Sequence, residues 1–204
     1  MRPSHGRSSV DQNTVVRNLA GWLQDNRWLP SLTVIYDLGN NGLPGESEHG
    51  AFYLWDKVPG TGRRNQISWV DILVRRDDVR TVELAVEVDF YKDDECRDRA
   101  PRPKEIAGLL LAPAAAFCHA RSRENRNPYA LKDTVIAVVS AYTTLRELGD
   151  DRELARELFT RFHVAERGVR ELCLCGGATQ EEVEESFKEM VRTRFLERVI
   201  FVGA

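Results

Sequence analysis

The amino-acid sequence predicts an α/β protein in which a mixed central sheet is flanked by helices. Three observations carry this. Residues 67 to 89 hold two runs rich in β-branched side chains, Ile67–Val74 and Thr81–Asp89, separated by Asp77-Asp78, and so read as an antiparallel hairpin. Ahead of them, Val15, Val16, Leu19, Ala20 and Leu23 recur with a helical period. From residue 103 onward helical and strand patterns alternate, which implies parallel pairing.

Taken in order, residues 1–10 are polar and are expected to be a flexible N-terminus. A helix starts at Ser9 or Asp11, either of which can cap it, and ends near Trp28-Leu29-Pro30. Ser31–Asp37 reads as a strand. The glycine-rich stretch Gly39–Gly45 is a loop, Ala51–Trp55 a short strand and Pro59–Gly62 a turn. After the hairpin comes a charged segment, Tyr91–Arg102. Pro103 suits the first position of a helix, and the Ala/Leu-rich helix is expected to run from Lys104 to His119. A charged loop at Arg121–Asn127 leads into a strand at Thr134–Ala141. A helix at Asp151–Phe162, a strand at Val169–Cys175, a helix at Thr179–Phe195 and a strand at Arg198–Val202 complete the chain. Thr179 and Glu182 have the spacing of a capping box. Residues 11–145 read as the core, and 146–204 as a C-terminal α/β extension of the same domain.

Composition narrows the function classes. At 204 residues and 42% hydrophobic, the chain can bury a substantial core, so wholesale disorder is excluded. The longest apolar run, Ile106 to Cys118, is too short for a membrane span and is broken by Gly108 and Pro113, and the N-terminus lacks the apolar stretch of a signal peptide. A soluble, cytoplasmic protein without membrane association is the expectation. With 29 Lys and Arg against 32 Asp and Glu, the chain is no general polyanion coat. Charge is uneven, however. Residues 147–204 carry 13 acidic and 9 basic side chains, which leaves any anion-facing surface to the first two-thirds. Cys96, Cys118, Cys173 and Cys175 lack CxxC spacing and read as buried free thiols, in preference to a zinc site completed by His119.

Chemistry gathers in the hairpin. Asp71 interrupts one apolar strand, and Glu87 and Asp89 lie near the end of the next, on one face by the period of two. If the strands are neighbours, all three carboxylates reach the same small volume and repel one another unless a cation lies between them. Hard oxygen donors favour Mg²⁺ (or Mn²⁺), which would lower the pKa of bound water and offset charge on a phosphoryl oxygen. The bland alternative is that Asp71 closes a turn while Glu87 and Asp89 lie at a solvated strand end.

Asp71-Ile-Leu-Val, a hairpin, Val86-Glu87-Val-Asp89 and a following helix together resemble the core of the restriction-endonuclease-like superfamily, the PD-(D/E)xK nucleases. The resemblance spans about Asp11 to Tyr142. It implies that the chain is a metal-dependent endonuclease acting on DNA, with Asp71 and Glu87 as metal ligands. The motif's lysine falls on Asp89, which would then orient water or bind a second ion. Lys92 or Lys104 is a candidate for a displaced lysine, and Glu105 a candidate further ligand. The motif's opening proline is replaced by Val70. Arg97, Arg99 and Arg102, then Arg121, Arg123 and Arg126, form two basic clusters suited to phosphate, and Arg63-Arg64 a third. Cleavage of both strands would favour a homodimer. A catalytically inactive member of this fold, binding nucleic acid or protein, is the alternative.

Other patterns carry less. Gly39–Gly45 lacks the Lys-Ser/Thr of a phosphate loop. Glu46, Glu48 and His49 follow it as loop residues, and His119 and His163 stand at expected helix ends. Trp22, Trp28, Trp55 and Trp69 read as core or substrate-groove aromatics.

Overall fold

The computed structural model describes residues 12–25, 32–37, 52–55, 66–89, 103–116, 118–119, 127–140, 151–177 and 179–196. Five strands form a mixed main sheet: β1 (Leu32–Tyr36), β4 (Ile72–Arg76), β5 (Thr81–Asp89), β7 (Tyr129–Ser140) and β8 (Val169–Gly176), in that order. The first three pair antiparallel, whereas β5–β7 and β7–β8 pair parallel. Strand β5 is therefore the place where the sheet changes from antiparallel to parallel. Three shorter strands, β2 (Phe52–Trp55), β3 (Gln66–Val70) and β6 (Cys118–His119), form a wing. It joins β7 at its start through β6, and β3 returns to the main sheet through Asp71.

Each face of the main sheet is covered by helices. Helix α1 (Gln12–Asp25) buries Val15, Val16, Leu19, Ala20 and Leu23 together with α4 (Gln180–Met190), against Ile72, Val74, Leu84, Val86, Val88, Val135, Ala137 and Val139. The other face takes α2 (Pro103–Ala114) and α3 (Asp151–Arg161) through Leu110, Ala114, Ala155 and Leu158, packed on Leu73, Ala85, Ile136 and Val138. Buried from both sides, β7 needs the unbroken apolar run Val135–Val139. Side chains from α2 and from the wing, including Leu54 and Val70, share that second core.

The expected α/β class and the flanking helices are present, and several boundaries differ for physical reasons. The strand read as Ile67–Val74 is two strands, because the chain bends at Asp71 and β3 pairs with β2 while β4 stays in the main sheet. The helix expected to reach His119 ends at Ala114. Pro113 has no N–H to donate, the chain closes into a turn with Ala115 N–H bonded to Leu111 O at 2.9 Å, and Cys118-His119 is a strand. Strand β7 begins at Tyr129, earlier than Thr134, because Asp133 takes a left-handed conformation (φ 56°) and the strand runs on past this irregularity. The C-terminal helix is α-helical to Met190, with Thr179 accepting from Glu182 N–H as expected, and continues as a π-helix over Val191–Leu196. Gly168 precedes β8 at φ 83°, where a Cβ would stand 2.1 Å from Leu131 O, so only glycine fits. The expected loops at 39–45 and 59–62, the strand at 198–202 and the flexible residues 1–10 lie outside the described residues.

Among the described residues, no helix is long and apolar enough to cross a membrane. Cys118, Cys173 and Cys175 are buried free thiols, in line with the sequence reading. Phe187 of α4 is fully buried between α1 and the sheet. Phe187→Ala is therefore expected to cost about 3–5 kcal/mol, measured as a lowered denaturation midpoint at unchanged denaturant slope.

Candidate functional site

Asp71 owes its position to the bend between wing and sheet. Its N–H donates to Val86 O at 2.9 Å, while the residue facing Val86 in the pairing register is Ile72. Two residues thus stand against one, which is the arrangement of a β-bulge, and bulges re-aim side chains. Asp71 O in turn accepts from Asp37 N–H at 2.8 Å, so the backbone stays within the β1–β4–β5 ladder while the chain turns away. Beyond this point no strand among the described residues pairs with that edge of β5. Asp71 Oδ2 fills the gap, accepting from Val88 N–H at 2.7 Å. The amide of Gln12, first residue of α1, donates to Val88 O at 2.6 Å and lies close enough to the Asp71 carboxyl to act against its upward shift.

Glu87 and Asp89 come from the C-terminal end of β5, on the face opposite Val86 and Val88. Glu87 Oε2 is buried and has no hydrogen-bond partner. Burial pushes the Glu87 carboxyl up to about 9, and the charges of Asp71 and Asp89 push in the same direction. Asp71 is raised to about 7, chiefly by burial and further by Asp37 and Asp89, against the lowering effect of the Val88 and Gln12 hydrogen bonds. A second acid of the same strand shows the contrast. Glu83 is more deeply buried, yet it accepts from Thr81 Oγ1 at 2.7 Å and lies 3.2 Å from Arg76 Nε. Asp77, at the hairpin tip, is held below the usual carboxylate range by Thr33, Tyr129, Arg75 and Arg80 despite its partial burial. The fold neutralises those two acids and leaves Asp71 and Glu87 facing like charge.

Asp71, Glu87 and Asp89 therefore share one electrostatic neighbourhood at the carboxyl end of β5, where the sheet changes from antiparallel to parallel. Ligands of open α/β sheets characteristically bind at such carboxyl ends. Among the described residues, no three His, Cys, Asp or Glu side chains are gathered in a way that holds a metal ion as they stand. The donor set nevertheless fits a hard divalent cation, since it offers carboxylate oxygens alone, one of them buried and unsatisfied.

The remaining candidates are placed unevenly. Lys104 and Glu105 lie in the first turn of α2, but their side chains, like the residues Lys92, Arg97, Arg99, Arg102, Arg121, Arg123 and Arg126, lie outside the described structure, as do Arg63 and Arg64. Of the lysines whose side chains are described, Lys188 binds Glu185 at 2.7 Å on α4. Lys132 sits eight residues before Ser140, which pairs with Asp89, and so lies roughly 26 Å along β7 from the acids. Trp22 is partly buried against the α1–α4 core, as expected of a core aromatic. Trp69 departs from that expectation, being 60% exposed on β3, two residues from Asp71 and across from Tyr53.

Two residues at the site had no motif to mark them. Asp37 directly follows β1 and adds its charge beside Asp71, and only its place next to a strand terminus hinted at this. Gln12 is a polar residue in a helix start and is recognisable only once α1 is seen to cross the end of β5. Comparison of the chain with protein-family models, with curated proteins and with solved structures returned no match.

The raised carboxyls fix the sign of the pH dependence. The folded protein keeps protons on Asp71 and Glu87 that the unfolded chain releases near pH 4, so their contribution to stability is fully present below that pH and is lost as pH rises through about 7 to 9. In chelator, the melting temperature is expected to fall between pH 5 and pH 9, and Glu87→Gln to flatten this slope and raise the melting temperature at pH 8. A Glu87→Gln protein less stable at pH 8, with the slope unchanged, would show that Glu87 is not repelled there.

Proposed function

We propose that the chain is a metal-dependent nuclease that hydrolyses phosphodiester bonds in DNA. The observation that carries this reading is the partly buried, unneutralised pair Asp71 and Glu87, with Glu87 Oε2 unsatisfied and Asp89 beside it, at the end of a strand where the fold neutralises its other enclosed acid, Glu83. The order α1, three antiparallel strands, α2 and a strand parallel to the third also supports the resemblance to the restriction-endonuclease-like core.

In this reading Asp71 and Glu87 hold a divalent ion, Mg²⁺ or Mn²⁺, through their oxygens. When bound, such an ion supplies Lewis acidity and a water of lowered pKa. Asp89 orients the attacking water and accepts its proton. The Val88 N–H holds Asp71 Oδ2 near the other two acids. Lys92 or Lys104 supplies a cation for the phosphoryl charge, and Arg97, Arg99 and Arg102 with Arg121, Arg123 and Arg126 hold the phosphate backbone. Trp69 offers an exposed ring on which a base can stack. A two-fold dimer would suit cleavage of both strands.

The second reading is a binding module that has lost catalysis. It is favoured by Asp89 standing where the resemblance puts the lysine, with no described lysine side chain near the acids.

Incubating plasmid and single-stranded DNA with the protein and Mg²⁺ or Mn²⁺ separates the two. Metal-dependent cleavage that falls at least about a hundredfold in both Asp71→Asn and Glu87→Gln is the expected result. DNA binding without cleavage in either metal would favour the module. Trp69→Ala is expected to weaken binding of single-stranded DNA about five- to a hundredfold, read by fluorescence anisotropy, with the fold intact.

A further inference from the structure

We draw no further inference here: the strongest candidate, the side-chain cluster at the tip of the β4–β5 hairpin, where Arg75 and Arg80 lie over the Tyr129 ring and their buried Nε atoms lack hydrogen-bond partners, carries nothing because Asp77 already faces both guanidinium groups and nothing in the structure points to a ligand for them.

Discussion

The chain leaves the main sheet at one residue, and the arrangement of the site follows from that departure. Strands β3 and β4 are consecutive, separated only by Asp71, yet they pair with different partners, β2 and β5. The core demands this bend. Val70 must enter the layer shared with α2 and Leu54, whereas Ile72 must face α1 and α4. A continuous strand would have left no gap on the edge of β5. With the gap, the backbone of Val88 needs partners from elsewhere, and a buried unpaired N–H costs about 1–3 kcal/mol. Asp71 supplies one partner and Gln12 the other. A polar pair is thereby held inside an otherwise apolar α/β/α sandwich, next to the strand end that bears Glu87 and Asp89.

The charge pattern sets this region apart from ordinary surface acids. The opposite end of the sheet shows how the same fold treats charge when only structure is at stake. There Arg75 and Arg80 lie over the Tyr129 ring, Tyr129 donates to Asp77 at 2.8 Å, and Arg76 meets Glu83. Acid and base alternate, and the hairpin tip is pinned to the start of β7. At the Asp71 end, by contrast, burial and neighbouring acids push two carboxyls upward: Asp37 and Asp89 act on Asp71, and Asp71 and Asp89 act on Glu87. Uncompensated like charge in a buried place is costly and marks a functional site more often than a structural one.

Much of the fold was legible in the residues. The period-3.6 pattern of α1, the second β-branched run of the hairpin and the Thr179–Glu182 cap each have a local cause, and each appears in the structure. Of the site, Asp71, Glu87 and Asp89 were legible because an acid inside an apolar strand conflicts with its surroundings. The bend at Asp71 was not legible. Ile67 to Val74 is uniformly strand-like, and the break arises from which partners the two halves find, a tertiary effect. Asp37 and Gln12 were hidden for the same reason, since neither breaks a local pattern and only the assembled sheet brings them to Asp71. The start of β7 was obscured by Lys132-Asp133, whose exposed polar side chains sit on an irregularity that the pairing with β5 absorbs.

The central claim is that the repulsion among these acids is relieved by a divalent cation. The most direct measurement is calorimetric titration of the wild-type protein with Mn²⁺ at pH 7.5 in two buffers of different ionisation enthalpy, which counts the protons displaced. The carboxyls of this site hold protons at neutral pH that a bound cation would expel. The account predicts saturable binding with net proton release in both buffers, and greatly reduced release in Glu87→Gln. No heat of binding, or binding that displaces no protons, would contradict it.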